Sequence, residues 1–216
     1  MKISLFGVTT VETEGALWGP ADLGGAKPRQ ILAMLALELG SPVSKDLIAE
    51  RLWDGDPPAS YLSTLESYVC GLRRRLGVRT RGPRGSALVT VNRAYLLAPE
   101  VVTVDVVEVR DLLRDGGPTS VLRALDLASA PLLASEPYAT WADRERSDFD
   151  SLLAQACLEA AGSAREAGRL HVAGRLAGAA VAEPRGVVGF EVILDAYSPS
   201  WMAAMSSVSL MAPSVA

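Results

Sequence analysis

Histidine, cysteine and aromatic residues are scarce: one His, two Cys and 6% Phe, Trp and Tyr in 216 residues. Cys70 and Cys157 share no short spacing, which excludes a disulfide scaffold and a metal-ligand pattern and fits a reducing compartment. With His171 the lone histidine, no Ser/His/Asp set can be assembled. A Gly-rich phosphate loop is missing as well, so no catalytic residue, cofactor or metal site is expected, and the chain does not read as an enzyme. His171, at a helix start beside Gly168, is read as structural. No apolar run reaches the roughly 18 residues of a membrane span, and the opening residues lack the apolar core of a signal peptide. A soluble, cytoplasmic protein is the expectation.

Acidic residues are missing from one stretch altogether. Between Glu66 and Glu100 there is no Asp or Glu, yet there are seven arginines: Arg73, Arg74, Arg75, Arg79, Arg81, Arg84 and Arg93. Through Ala98 the chain holds 12 Lys and Arg against 9 Asp and Glu, a net of +3, and the remainder carries −7. An arginine field joined to an acidic half suggests a polyanion-binding module attached to something else. A solvated basic face without a partner is the alternative.

What is plentiful is apolar: 49% of the residues, enough for a packed core, with Ala and Leu leaning towards helix. Lys2 to Val11 is rich in β-branched residues and predicts a strand, turning at Thr13, Glu14 and Gly15 into a second strand around Ala16–Trp18. Pro28 suits the first turn of a helix that continues through Ile31, Leu32, Leu35, Ala36 and Leu39. Ser44 is a candidate N-cap for a second helix with Leu47, Ile48, Leu52 and Trp53 on its stripe. Asp54 to Pro58 is a loop, and Ala59–Leu76 a third helix. Gly82, Pro83 and Gly85 mark a loop before two β-type runs, Ala87–Val91 and Ala94–Ala98, that turn at Asn92 and Arg93. Helix-turn-helix plus hairpin is the layout of a winged helix. Beyond Val101 only helices are expected, at Val106–Arg114, Thr119–Ala128, Trp141–Ala167 and Leu170–Ala182, with a break in the third at Gly162. Paired helices of this length resemble a TPR-like array.

The third helix is the most informative. Val69, Leu72 and Leu76 fall within about 40° of Leu65 around the helix axis, a tight apolar stripe. The other side holds Ser60, Ser63, Ser67, Cys70, Gly71 and Arg74, nearly all small. Small residues permit close approach and hydroxyls can reach phosphates or base edges, while Arg73, Arg74 and Arg75 add charge at the end. Insertion into a DNA groove is favoured over a helix–helix contact. Cys70, on this side, is also weighed as a redox switch, for which only the nearby arginines speak.

Residues 27–77, KPRQILAMLALELGSPVSKDLIAERLWDGDPPASYLSTLESYVCGLRRRLG, resemble the DNA-binding domain of the Streptomyces antibiotic regulatory protein (SARP) family, an OmpR-type winged helix. Residues 131–153, PLLASEPYATWADRERSDFDSLL, resemble the bacterial transcriptional activation domain that follows it in that family. The resemblance implies an α+β winged helix-turn-helix with N-terminal β-strands over 1–98, a helical activation domain over 99–197 and an atypical uncharged tail over 198–216. It makes Ala59–Leu76 the recognition helix and puts Ser63, Thr64, Ser67, Tyr68, Gly71, Arg73, Arg74 and Arg75 at DNA. It adds Trp53 as a backbone contact, with a core aromatic as the alternative, and Arg93 and Tyr95 at the wing. The loop of Asp54, Gly55, Asp56, Pro57 and Pro58 matches a segment that faces RNA polymerase.

Two departures stand out. Where relatives often carry Gly-Gly-Tyr at the wing, this chain has Arg93, Ala94 and Tyr95. Relatives also continue past the position of Tyr197 with a further charged helical pair, whereas no charged residue follows Asp195 here, so the family pattern reads as C-terminally truncated. The expected function is a sequence-specific activator that binds double-stranded promoter DNA at direct repeats and recruits RNA polymerase. An adaptor or ligand-sensing helical-repeat protein with accessory DNA binding is the alternative. The opposite charges of the two halves favour a head-to-tail homodimer on DNA.

Overall fold

The computed structural model describes residues 1–76 and 86–181. The loop expected at Gly82, Pro83 and Gly85, the arginines Arg79, Arg81 and Arg84, the limit at Tyr197 and the tail 198–216 lie outside the described residues. Chain order is β1 (Lys2–Ser4), β2 (Thr10–Thr13), β3 (Ala16–Trp18), α1 (Ala26–Leu37), β4 (Val43–Ser44), α2 (Lys45–Leu52) and α3 (Tyr61–Arg75). Then come β5 (Leu88–Val91), β6 (Ala94–Leu97), β7 (Thr103–Val104), α4 (Asp105–Asp115), α5 (Pro118–Leu127), α6 (Thr140–Glu166) and α7 (Leu170–Val181). The architecture is a winged helix-turn-helix with N-terminal strands, followed by a helical region.

The single strand expected from Lys2 to Val11 is in fact two, β1 and β2, which pair antiparallel. Its middle leaves the ladder because its backbone is bonded elsewhere. Leu5 N donates at 2.9 Å to both carboxylate oxygens of Asp105, Gly7 N to Pro131 O at 2.8 Å, and Thr9 N to Ser135 Oγ at 2.8 Å. Gly7 has φ 75°, a left-handed turn that glycine makes without strain. On β1's other edge runs β7 in parallel, giving the order β3-β2-β1-β7. The second sheet, β4-β6-β5, is the wing with one more strand than its hairpin required. Strands of two residues, such as β4 and β7, are too short to leave a period in the sequence.

Each helix of the winged domain follows from its apolar spacing and its start. α1 buries Ile31 to Leu37 without a break, as befits the central helix of the domain. Ser44 caps α2, accepting a hydrogen bond from Leu47 N at 3.1 Å. The stripe predicted for α3 is the buried one: Leu65, Val69 and Leu72 are at most 1% exposed and pack towards α1. In the helical region α4 packs on α5 and α6 on α7, with α5 bridging the two pairs. α6 runs unbroken through Gly162, contrary to the interruption expected there, and the space beside Gly162 is open.

The two halves meet along a dry seam. One cluster of buried side chains extends from Ile3 through α1 and α3 to Leu176 in α7. Glu136, 3% exposed, pairs with Arg29 and accepts from Gln30 Nε2 at 2.9 Å; Arg29 also donates to Ser135 O at 3.0 Å. Arg146 donates to Leu133 O and Glu136 O, which ties the same segment to α6. Asp105 accepts from Leu5, Phe6 and Val106, and burial pushes its pKa up against the pull of those three N–H groups. The bonds of Arg29 and Gln30 to Ser135 and Glu136, and of Leu5 and Phe6 to Asp105, cross the 98/99 limit read from the sequence.

Candidate nucleic-acid interface

α2 and α3 are joined by the loop at 54–60, and the chain makes that turn with two successive left-handed residues, Asp54 (φ 57°) and Gly55 (φ 84°). Gly55 N closes it on Glu50 O at 2.8 Å. α3 then presents Ser63, Ser67, Cys70 and Arg74 to solvent, all exposed. Ser63 Oγ and Thr64 Oγ1 donate to Ser60 O at 2.9 and 3.2 Å, so both hydroxyl protons turn back on the helix's own first turn. Three consecutive arginines in the last turn sit favourably at the negative end of the helix dipole.

Those three arginines have different surroundings. Arg74 is exposed. Arg73 is half-buried and donates to Leu88 O through Nε and Nη2, at 3.1 and 2.9 Å, and to Thr90 Oγ1 at 2.8 Å. Arg75 folds back along its helix. A Cβ placed on Gly71 would stand 3.1 Å from Arg75 Nη1, and one on Gly24 would stand 3.0 Å from its Cζ, so the guanidinium occupies the room these glycines leave. Gly71 itself is buried rather than part of an open face. At about 240° from Leu65 it belongs to the margin of the small-residue side.

The wing turns at Asn92 (φ 52°) and Arg93, and Arg93 is exposed. Its guanidinium approaches Asp46 Oδ1 at 3.7 Å, and Asp46 Oδ1 also accepts from Tyr61 Oη at 2.7 Å. That donation pushes the Tyr61 phenol up. Arg93 O accepts from Lys45 N at 2.9 Å, which anchors the tip to the start of α2. Tyr95, expected at the wing surface, is 2% exposed and belongs to the core. Alternation explains it: along β6, Tyr95 and Leu97 point inward while Ala94 and Leu96 do not. Its ring lies under Lys45 Nζ at 5.2 Å and Arg73 Cζ at 6.0 Å, and burial pushes its pKa up. Lys45 Nζ in turn reaches Glu66 Oε1 at 2.6 Å.

Tyr68 is half-buried against the core, as is Trp53 at the end of α2. Lys27 Nζ stands 4.8 Å over the Trp53 ring and donates to Leu52 O at 2.8 Å. In the loop before α3, Asp54, Gly55, Asp56 and Pro58 are exposed and Pro57 is half-buried. Thr140 Oγ1 donates to Asp54 Oδ1 at 2.6 Å, which docks this loop on the start of α6, and Arg51 stands 3.6 Å from Glu145 beside it.

The structure therefore brings Ser63, Ser67, Arg74, Arg75 and Arg93 to the surface, and buries Gly71 and Tyr95. It also adds a supporting set that the sequence did not single out: Lys45, Asp46, Tyr61, Glu66 and Thr90. Ser44 as a cap pointed to the start of α2, but nothing local announces contacts between residues 15 to 50 positions apart.

Comparison with known proteins gives a consistent neighbourhood. A family profile described as "Transcriptional regulatory protein, C terminal" matches residues 23–97. Regulatory protein DnrI of Streptomyces peucetius is 34% identical over 134 residues, 60% of this chain and 48% of that protein. Transcriptional regulator RedD of Streptomyces coelicolor is 27% identical over 136 residues, 61% of this chain and 38% of that one. The chain thus spans less than half the length of either relative. Among solved structures, Mycobacterium tuberculosis EmbR in complex with a low affinity phosphopeptide superposes with a TM-score of 0.53. It is 22% identical and matches 83% of this chain and 54% of its own, a likeness of fold.

Proposed function

We propose that this chain is a transcriptional regulator of the Streptomyces antibiotic regulatory protein family, that it binds promoter DNA sequence-specifically and that it activates transcription by recruiting RNA polymerase. One observation carries most of the weight: α3 has an exposed face of small side chains ending at Arg74, and the exposed wing-tip Arg93 reaches the start of the same helix through Asp46 and Tyr61. A solvated helix face would carry Glu and Lys; a face that enters a groove has to be small and positive. In this reading α3 enters the major groove, Ser63, Ser67 and Arg74 meet bases or phosphates, and Arg93 meets the flanking backbone or minor groove. Trp53, Thr64 and Tyr68 border that surface. The activity is regulatory rather than catalytic, and it is exercised in the cytoplasm, where the chromosome is accessible.

The loop of Asp54 to Pro58 would face RNA polymerase, supported by its exposure and by its docking on α6. Residues 1–98 would act as the DNA-binding unit and the helical residues after them as the activation unit. Two copies would sit head to tail on direct repeats about one helical turn apart, so that both recognition helices address one side of the duplex. Footprinting of the purified chain on genomic promoter fragments, with and without RNA polymerase, tests this. A discrete protected site that extends when polymerase is added is expected; uniform or absent protection would overturn it. Inserting five base pairs between the repeats should abolish joint occupancy, and a palindromic operator would contradict the head-to-tail arrangement.

A further inference from the structure

Arg73 opens the arginine field yet is committed to the protein. Nε and Nη2 both donate to Leu88 O, and Nη2 also donates to Thr90 Oγ1. Leu88 and Thr90 belong to β5, the outer strand of the wing sheet, which among the described residues pairs with β6 alone. The guanidinium also faces the buried ring of Tyr95 on β6, with Lys45 from α2 at that ring too. One side chain from the end of the recognition helix thus grips both strands of the wing. A planar guanidinium with donors in a fixed fork suits this task; a lysine ammonium has no such geometry.

The wing tip is reached through the same strands. Arg93 follows Val91 and Asn92 at the end of β5, so the angle of β5 against α3 decides where its guanidinium falls relative to the groove that α3 enters. We propose that Arg73 is a positioning residue for DNA binding: it sets the wing, and therefore Arg93, at a fixed angle to α3, and makes no phosphate contact itself. This rests on the DNA-binding reading above. It divides the arginine triplet by task, with Arg74 displayed and Arg73 acting through Arg93.

A double-mutant cycle on the full chain tests it, using a duplex that carries the footprinted operator. Arg93→Ala should weaken binding about tenfold, and Arg73→Ala by a similar factor. Because Arg73 acts through Arg93, the double variant should be weaker by about tenfold and not a hundredfold. Arg73→Lys keeps the charge but loses the fork, and should behave like Arg73→Ala. Thr90→Val, which removes an acceptor and no charge, should lower affinity about twofold to threefold in wild type and have no effect with Arg93→Ala present. Multiplicative losses, or rescue by Arg73→Lys with a salt slope reduced by about one on Arg73→Gln, would make Arg73 a phosphate contact and overturn the proposal. Failure of the wild-type chain to bind any duplex would overturn the functional reading first, which is a distinct result. Should Arg73→Ala unfold, Thr90→Val in the two backgrounds still decides.

Discussion

At the seam between the winged helix and the helical region, Arg29, Arg51 and Arg146 all have carboxylate or carbonyl partners, whereas on the surface formed by α3 and the wing Arg74 is exposed and Arg93 has only a distant approach to Asp46. The first region is nearly dry: the Glu136 side chain is 2% exposed and that of Arg29 15%. The second faces water. Arginine is the same residue in both, so charge alone does not separate a strut from a binding group; its partners do. Removing a carboxylate at the seam leaves a positive charge stranded, while removing an arginine from the open surface costs the fold nothing that water cannot replace.

That contrast can be broken by experiment, and the seam should respond most. Glu136→Ala deprives Arg29 of its carboxylate in a buried place and should lower unfolding free energy by about 3–5 kcal/mol in urea titration. Next comes Asp105→Ala, which leaves the N–H groups of Leu5, Phe6 and Val106 without their acceptor, a loss of about 2–3 kcal/mol. Its pH dependence has a definite sign. Burial raises the Asp105 pKa in the folded chain, so the folded state holds the proton more tightly than the unfolded one. Its ionisation therefore subtracts stability as pH rises from the ordinary aspartate value through the raised folded one, and Asp105→Asn should remove that decline. On the open surface the effect moves from stability to affinity. Arg74→Ala should cost about 1–3 kcal/mol of specific DNA binding and relax base preference, with stability within about 0.5 kcal/mol of wild type. Smallest is Arg93→Ala, about tenfold or roughly 1.4 kcal/mol and concentrated on A·T-rich flanks, where a narrow minor groove attracts arginine. A stability loss from Arg74→Ala as large as that from Glu136→Ala would erase the distinction between the two regions.

Periodicity made the helices legible, because burial of Leu65, Val69 and Leu72 depends only on where residues fall around an axis. Turn chemistry did the same for the loop at Asp54 and Gly55 and for the cap at Ser44. Partners of long side chains were not legible. Arg29 meets Glu136 across 107 positions, and Arg73 meets Leu88 across 15, and no local pattern encodes either. The same limit explains Tyr95. Its neighbourhood in the sequence marks a wing, but which face of β6 it takes is set by register against β4 and β5. Gly71 was placed on the correct helix at a margin that α3's own arginine covers. The break within Lys2 to Val11 was invisible for a related reason: Asp105, Pro131 and Ser135 take its backbone groups from more than 90 residues away.

The central claim is that the exposed arginines of α3 and the wing bind a nucleic acid backbone. Measuring duplex affinity across a range of salt concentrations addresses it directly, since each neutralised phosphate contributes about −0.9 to the slope of log affinity against log salt. Five to seven contacts per protomer predict a slope of about −4 to −6, reduced by about one in Arg74→Ala or Arg93→Ala if each meets a phosphate. A slope near zero, unchanged by either substitution, would contradict the account.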